Sequence, residues 1–236
     1  MLGLIKNVEW KPFLELLSPR FFEVVPMSTV LSQMRTLGGN YFNRAGFIAA
    51  RSARARTLAE AGLAVELVDA VPSPAAVGAQ ALLELYFHQV LRGGTVLLDL
   101  RSEVFAPRGE GLAWAPRPAF VTFDPAFHHG LRELYFGFYL DEPARFSAGA
   151  KALGLEAAEA ALRAQFGVGD QTRVRFSLPD FQQRFQAVFD ACKASKAQLD
   201  PGFIGLGVGL ATLYSHLEQT GGEHDVRAAF LQASGR

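Results

Sequence analysis

The sequence predicts a mainly α-helical fold with one small β-hairpin, that is, an α+β domain. An aspartate followed by proline recurs where apolar segments begin, for example at Asp124-Pro125 and Asp200-Pro201. This pair favours a helix start, because the carboxylate accepts amide hydrogens of the first turn and proline has no amide hydrogen to lose. Glycine pairs at 93–94 and 221–222 follow apolar runs and indicate helix ends. Residues 95–123 combine β-branched residues with turn chemistry, so we expect the hairpin there.

The composition indicates a folded protein and excludes several classes. Of 236 residues, 50% are hydrophobic and 19% are charged, so the chain can bury a sizeable core. The 23 basic residues balance the 23 acidic ones, so we expect no nucleic-acid partner. A single cysteine, Cys192, excludes an intrachain disulfide and a zinc site built from several thiolates. Lys6 and Glu9 interrupt the first apolar run, so we expect no signal peptide and a cytoplasmic protein.

The first part of the chain is predicted to be helical. Residues 2–17 have the apolar spacing of an amphipathic helix that Pro12 interrupts, and we expect this helix to dock on its own domain. Peripheral contact with a membrane surface is the alternative, which the weakly basic polar face disfavours. Residues 28–61 also have helical composition, with a predicted break at the glycine pair 38–39.

A proline-rich stretch, Val71-Pro72-Ser73-Pro74, marks the predicted boundary in the chain. It separates an N-terminal helical segment, residues 1–74, from a larger domain, residues 75–236. The larger domain is predicted to open with a helix over residues 75–91, whose apolar residues repeat on one side.

The predicted hairpin follows this helix. Residues 95–105 are rich in β-branched and large apolar side chains and are predicted to form one strand. Residues 107–111 have the composition of a turn, and a return strand is predicted from Leu112. A further short extended piece is expected at 119–123.

The remaining segments are predicted helices. After the helix that starts at Asp124-Pro125, further starts lie near Pro143 and at Leu178-Pro179-Asp180. The apolar run 202–217 is too short for a bilayer span, which needs about 20 residues, and is predicted to be a buried helix. Gly205 and Gly209 lie one turn apart in it, so another segment can approach closely there. A last helix is expected over 225–232.

Few residues of the sequence are candidates for a catalytic or metal-binding role. Asp99 lies in an apolar run, so its carboxylate must either point outward or be hydrogen-bonded, and the outward orientation is favoured. His129 and Glu133 could share a metal ion on one helix face, but a solvated pair is favoured, and we expect no metal and no cofactor. Motifs of serine hydrolases, phosphate loops and zinc proteases are missing.

Residues 80–154 resemble the C-terminal lobe of the UbiB-like (AarF-domain) atypical kinases. In that family, a helix of the type Leu-Tyr-x-x-Gln-Val-Leu leads into a catalytic loop, His-Ala-Asp-Pro-His-Pro-Gly-Asn. Here Leu-Tyr-Phe-His-Gln-Val-Leu at 85–91 leads into Asp99, which matches the catalytic aspartate, and into Glu103, which falls near the metal-binding asparagine. The family's Asp-Phe-Gly falls near Pro116-Arg117-Pro118, so the metal-holding aspartate has no counterpart.

The resemblance implies a helical domain like the C-terminal lobe of a protein kinase, and a degenerate pseudokinase. No lysine-bearing strand precedes the helix, and phosphoryl transfer needs that lysine together with a metal site. We therefore expect a non-catalytic binding or regulatory protein for a protein partner or an apolar, lipid-like molecule, with Arg44 in the basic segment that offers a binding surface. The alternative is an enzyme acting on a lipid or prenylated substrate, with Asp99 and Glu103 as its acidic pair and Arg101 or Arg108 holding phosphate.

The 20 phenylalanines of the chain leave one further hypothesis open. Phenylalanine in excess usually packs a core, which is the favoured interpretation, but aromatic helices can also line a cavity for a hydrophobic ligand. The sequence indicates neither the ligand nor the oligomeric state.

Overall fold

The computed structural model describes residues 27–166, 173–197 and 199–236. Its helices are α1 (Met27–Phe42), α2 (Arg44–Glu60), α3 (Ala79–Arg92), α4 (Pro125–Tyr139), α5 (Pro143–Ala152), α6 (Glu159–Phe166), α7 (Leu178–Ala194), α8 (Gly202–Thr220) and α9 (Val226–Ser234). Its strands are β1 (Val65–Leu67), β2 (Thr95–Leu97), β3 (Phe105–Arg108), β4 (Gly111–Trp114), β5 (Phe120–Thr122), β6 (Arg173–Val174) and β7 (His224–Asp225). Short 3-10 turns lie at Ser102–Val104 and Glu156–Ala158.

The predicted fold class is confirmed, because the described residues are mainly helical and carry small sheets. Strands β3 and β4 form an antiparallel hairpin, and β1 adds to β4 in parallel, so the strand order is β1-β4-β3. Strand β2 pairs with β5, and β6 pairs with β7, each pair antiparallel. The hairpin turn contains Gly109, whose positive φ of 57° suits a residue without Cβ.

The prediction of one strand over residues 95–105 is wrong. The chain forms β2 up to Leu97, leaves the sheet through residues 98–101, makes a 3-10 turn and only then enters β3 at Phe105. The reason lies far away in the sequence, since side chains of β4 and α8 bind the backbone of residues 98–100 and replace strand partners. The expected extended piece at 119–123 is confirmed as β5.

Two helix boundaries also differ from the predictions. Helix α1 runs through the glycine pair 38–39, and the break lies at Asn43, whose Oδ1 accepts the Gly46 N–H at 2.9 Å. Two glycines in a helix cost about 1 kcal/mol each relative to alanine, which does not end a helix, whereas a capping side chain begins a new one. Helix α3 begins at Ala79 rather than 75, because the Ala75 and Val77 amides donate to other segments.

Helix starts that depend on local chemistry are confirmed. Asp124 accepts the Ala126 N–H at 2.8 Å and caps α4, with Pro125 in the first turn. Asp200 accepts the Gly202 N–H at 2.7 Å ahead of α8, and Asp225 caps α9. The amphipathic helix predicted over residues 2–17 lies outside the described residues.

The described residues on both sides of the predicted boundary at residue 74 contribute to one hydrophobic core, which extends from Val30 to Phe230. Helices α4 and α5 pack as an antiparallel pair whose contact needs Gly137 and Gly149, because a Cβ at either position would collide with the backbone of the other helix. Helix α8 is largely buried, as predicted. Among the described helices, none has the length and apolar character needed to cross a bilayer.

Candidate functional site

Asp99 is buried and ion-paired, so the favoured outward orientation is wrong. Its side chain is 3% exposed. Arg101 binds the carboxylate in a bidentate manner, because its Nε donates to Oδ1 at 2.7 Å and its Nη2 donates to Oδ2 at 2.8 Å. The Arg117 amide approaches Oδ2 at 3.4 Å. Two parallel hydrogen bonds from one arginine fix the orientation of a carboxylate. Asp99 therefore acts as an anchor of its loop in this structure.

Side chains from distant elements bind the backbone around Asp99. Trp114 of β4 donates its indole N–H to the Asp99 carbonyl at 2.9 Å. Thr212 of α8 donates to the Leu98 carbonyl at 2.6 Å and accepts from the Leu100 amide at 3.2 Å. Buried backbone groups need such partners outside regular structure. The loop thus has a defined shape without belonging to a sheet.

His216 of α8 joins this loop to the segment before α3. Its Nε2 accepts the Val77 N–H at 3.0 Å, so its Nδ1 carries the proton and donates to the Leu100 carbonyl at 2.8 Å. Burial lowers the pKa of His216, which keeps the imidazole neutral in this role. The ring connects two segments and has both nitrogens engaged.

The other residues predicted for a site are not brought together with Asp99. Glu103 is exposed on the 3-10 turn, and among the described side-chain contacts no hydrogen bond joins it to Asp99. Arg108 is exposed on β3, where its Nε lies 2.8 Å from the Glu66 carboxylate. Arg44 is exposed at the start of α2. Of the residues predicted to bind a ligand, Arg101 lies next to Asp99, and its guanidinium is hydrogen-bonded to the Asp99 carboxylate.

His129 and Glu133, the candidate metal-sharing pair on α4, lie in different surroundings. Arg145 of α5 pairs with Glu133, with Nε 2.7 Å from one carboxylate oxygen, and these hydrogen bonds lower the pKa of Glu133. His129 is exposed. No group of three or more candidate ligands for a metal occurs in the part of the chain that the structure describes.

A second cluster of buried polar side chains covers the edge of β2. Arg54 of α2 donates to the Thr95 carbonyl at 2.6 Å, and Gln89 of α3 accepts the Leu97 amide at 3.0 Å. Residues two apart in a strand direct their backbone amides and carbonyls to the same edge. The side chains of Arg54 and Gln89 therefore form the hydrogen bonds that a neighbouring strand would otherwise form.

His88 lies beside this pair on α3 and is 1% exposed. Neither of its ring nitrogens has a hydrogen-bond partner among the described residues, and burial lowers its pKa to about 4, with the charge of Arg54 as the next cause. Its chemistry in this structure is that of a buried neutral imidazole.

An apolar cavity of about 90 Å³ lies inside the helical bundle, between α3, α4, α7 and α8. Every described residue that lines it is leucine, valine, phenylalanine or tyrosine. Six phenylalanines belong to the wall, so the hypothesis of an aromatic cavity describes a real feature of the bundle, although most phenylalanines do pack the core. Several wall residues, including Leu210 and Tyr214, are only partly buried, so this side of the cavity lies near the protein surface.

Tyrosine hydroxyls supply the polar side-chain atoms of the cavity. Four of the five tyrosines of the chain line it: Tyr86, Tyr135, Tyr139 and Tyr214. The hydroxyls of Tyr86 and Tyr135 are hydrogen-bonded at 2.5 Å. Burial raises the pKa of both groups, and their neighbours Tyr139 and Tyr214 raise that of Tyr86 further. These hydroxyls are therefore neutral at physiological pH.

Helix α8 separates the cavity from the Asp99 loop. One face carries Thr212 and His216, which bind the loop, and Gly205, where a Cβ would lie 3.2 Å from the Val121 side chain. The other face carries Leu206 and Leu210, which line the cavity. Asp99 does not line it. The predicted close approach at the α8 glycines is thus made by segments of the same chain.

Comparisons of the chain with models of protein families, with curated proteins and with solved structures find no match. The resemblance to the UbiB-like kinases therefore stays a prediction. In the part of the chain that the structure describes, the cavity is a concave apolar feature of the kind that binds small molecules.

Proposed function

We propose that this protein is a non-catalytic binding protein that holds a small apolar molecule in the cavity between α3, α4, α7 and α8. The observation that carries the proposal is the wall itself, in which every described side chain is aliphatic or aromatic. A ligand that enters such a cavity leaves water and gains contact with aromatic rings, and both effects favour apolar molecules.

The size of the cavity points to a ligand, or a part of a ligand, about as large as one ring. Apolar cavities of about 150 Å³ bind benzene without polar contacts. The present cavity measures about 90 Å³, and its partly buried wall residues can yield toward the surface. Benzene is therefore a suitable probe for the proposal.

The resemblance to a pseudokinase supports a binding role but adds no ligand. The buried state of Asp99 supports the same non-catalytic role, because its carboxylate is already hydrogen-bonded to Arg101. The alternative acidic pair of Asp99 and Glu103 gains no support from their positions, since one is buried and the other is exposed.

Thermal unfolding in the presence of benzene tests the proposal. A ligand that binds only the folded chain stabilises it by RT ln(1 + [L]/Kd), which is about 1.4 kcal/mol at ten times Kd. For a chain of this size we expect Tm to rise by roughly 3 to 6 °C. The variant Leu210→Phe places a larger side chain in the cavity wall and should abolish this shift.

The matched control is Leu231→Phe, which makes the same change at a half-buried leucine of α9 outside the cavity wall. We expect this variant to keep the benzene shift of the unmodified protein. If benzene stabilises all three proteins equally, it binds elsewhere, and if it stabilises none of them, the cavity is a packing defect; either result rejects the proposal.

A further inference from the structure

We propose that helices α1 and α2 form a surface that binds an anionic phospholipid bilayer from one side. This inference goes beyond the proposed function, because no residue of α1 or α2 lines the cavity between α3, α4, α7 and α8. Two features of the helix pair support it, namely large apolar side chains that are exposed and a charge of one sign. Its test does not depend on the binding of benzene.

Among the described side chains, the exposed large hydrophobic ones all belong to these two helices. They are Leu31 and Phe42 of α1, which are 56% and 72% exposed, and Ile48 of α2, which is 51% exposed. Phe42 follows Leu31 by about three helical turns, so both side chains lie on the same side of α1. An exposed hydrophobic residue is ordinary when it is isolated, whereas a group that is confined to one helix pair indicates an interaction surface.

The charged residues of the helix pair are nearly all positive. The segment 27–59 contains five arginines and neither aspartate, glutamate nor lysine, although acidic and basic residues balance over the whole chain. Such a local excess of positive charge attracts an anionic surface.

Two of the arginines lie beside the exposed apolar side chains. Arg35 is exposed and follows Leu31 by one helical turn, and Arg44 is exposed and precedes Ile48 by one turn. Other arginines of the segment are engaged in the fold, since Arg54 is buried against β2. At a bilayer surface, apolar side chains enter the boundary between headgroups and acyl chains, and arginines beside them reach the phosphates. The pattern of α1 and α2 therefore matches this environment.

The aliphatic residues favour a bilayer over a nucleic acid as the partner. Proteins that bind single strands combine basic side chains with aromatic rings that stack on the bases. Leu31 and Ile48 have no ring with which to stack. A bilayer instead offers anionic headgroups to the arginines and an apolar interior to the leucine, isoleucine and phenylalanine side chains.

Vesicle flotation with the full chain tests the proposal. The two probes are vesicles of phosphatidylcholine alone and vesicles of equal parts phosphatidylcholine and phosphatidylserine. We expect the protein to float with the anionic vesicles and to stay unbound in the presence of the neutral ones. Raising the ionic strength from about 0.1 M to about 1 M shortens the Debye length from about 10 Å to about 3 Å, so it should reduce the bound fraction.

The double variant Arg35→Gln/Arg44→Gln removes the two exposed charges beside the apolar side chains. An arginine near an anionic membrane contributes about 1 kcal/mol, which is about a five-fold change in affinity, so the loss of two should weaken vesicle binding roughly 25-fold. The matched control is Arg132→Gln/Arg173→Gln, which makes the same change of charge at exposed positions of α4 and β6. We expect this control to bind anionic vesicles as the unmodified protein does.

A second variant, Phe42→Gln/Ile48→Gln, tests the apolar contribution at constant charge. It should weaken binding to anionic vesicles by roughly ten-fold or more, because two large side chains no longer leave water at the bilayer. Since both side chains are exposed in the free protein, the thermal unfolding of this variant should match that of the unmodified protein.

Several results would overturn the proposal. Equal binding to neutral and anionic vesicles, or no binding to either, excludes recognition of an anionic bilayer. Unchanged vesicle binding of Arg35→Gln/Arg44→Gln assigns the contact to another part of the chain. Binding to single-stranded RNA without binding to vesicles assigns the helix pair to a nucleic acid instead.

Discussion

Acidification should weaken this fold through His88. In the unfolded chain a histidine takes up a proton near its ordinary pKa of 6.5, whereas burial lowers the pKa of His88 to about 4 in the folded protein. Between these two values the unfolded state binds more protons, so the free energy of unfolding must fall as the pH falls. A charged His88 would also lie near the positive charges of Arg54 and Arg92.

The size of the effect follows from the two pKa values. Each pKa unit corresponds to about 1.4 kcal/mol, so lowering the pH from 7 to 4 should remove about 3 kcal/mol of stability through this one side chain. Burial also lowers the pKa of His128 and His216, and both contribute in the same direction. The loss measured for the unmodified protein should therefore exceed 3 kcal/mol.

The variant His88→Leu isolates the contribution of His88. At pH 7 we expect little loss of stability, because leucine removes two ring nitrogens that have no partner among the described residues. Urea unfolding at pH 7, 6, 5 and 4, followed by circular dichroism, should show a pH dependence about 3 kcal/mol smaller than in the unmodified protein. His129→Leu, at an exposed histidine of α4, is the control. Equal pH dependence of the unmodified protein and His88→Leu would refute the reasoning.

Two further predictions concern the frame around the candidate site. Asp99→Asn should lower the free energy of unfolding by about 3 kcal/mol, because it leaves the Arg101 guanidinium, which is only 16% exposed, without its carboxylate. Urea unfolding measures this loss, and a change below about 1 kcal/mol would contradict the prediction. Gly149→Ala should lower it by about 1 to 3 kcal/mol, because the new Cβ would meet the backbone at Leu134. Gly207→Ala, where no atom lies within 4 Å of the Cβ position, should instead be neutral or stabilising by up to about 1 kcal/mol, and the same sign for both alanine variants would contradict the packing argument.

The helix starts could be predicted because their cause is local. Asp124 and Asp200 bind amides two residues further along the chain, so the sequence around them contains both partners of each hydrogen bond. The burial of α8 could also be predicted from the sequence, because nearly every residue of that helix is apolar or small. The sequence could not indicate which distant residues form hydrogen bonds with the segments between these elements.

Features that depend on distant contacts were missed for this reason. Strand β1 has only three residues and exists because Val65 to Leu67 pairs with β4, more than 40 residues away in the chain. The strand predicted over 95–105 ends early because Thr212 and His216, which follow it by more than 100 residues, bind its backbone. The orientation of Asp99 was missed although Arg101 stands two residues away, and this spacing was the one local signal for an ion pair.

The cavity is the feature that composition suggests but cannot place. An aromatic-rich sequence fits a fully packed core as well as a core with a gap, since packing density depends on how side chains from different helices meet. In this chain the position of α8 determines where the space between the helices lies. Its small and polar residues hold the Asp99 loop and β5 close on one side, as at Gly205 and Thr212, while its leucines on the other side meet rings from α3, α4 and α7 that leave a space. Under the proposed function, a change in the loop-binding face of α8 should alter the binding of benzene through the position of the helix, whereas a change in its leucine face should alter this binding by direct contact.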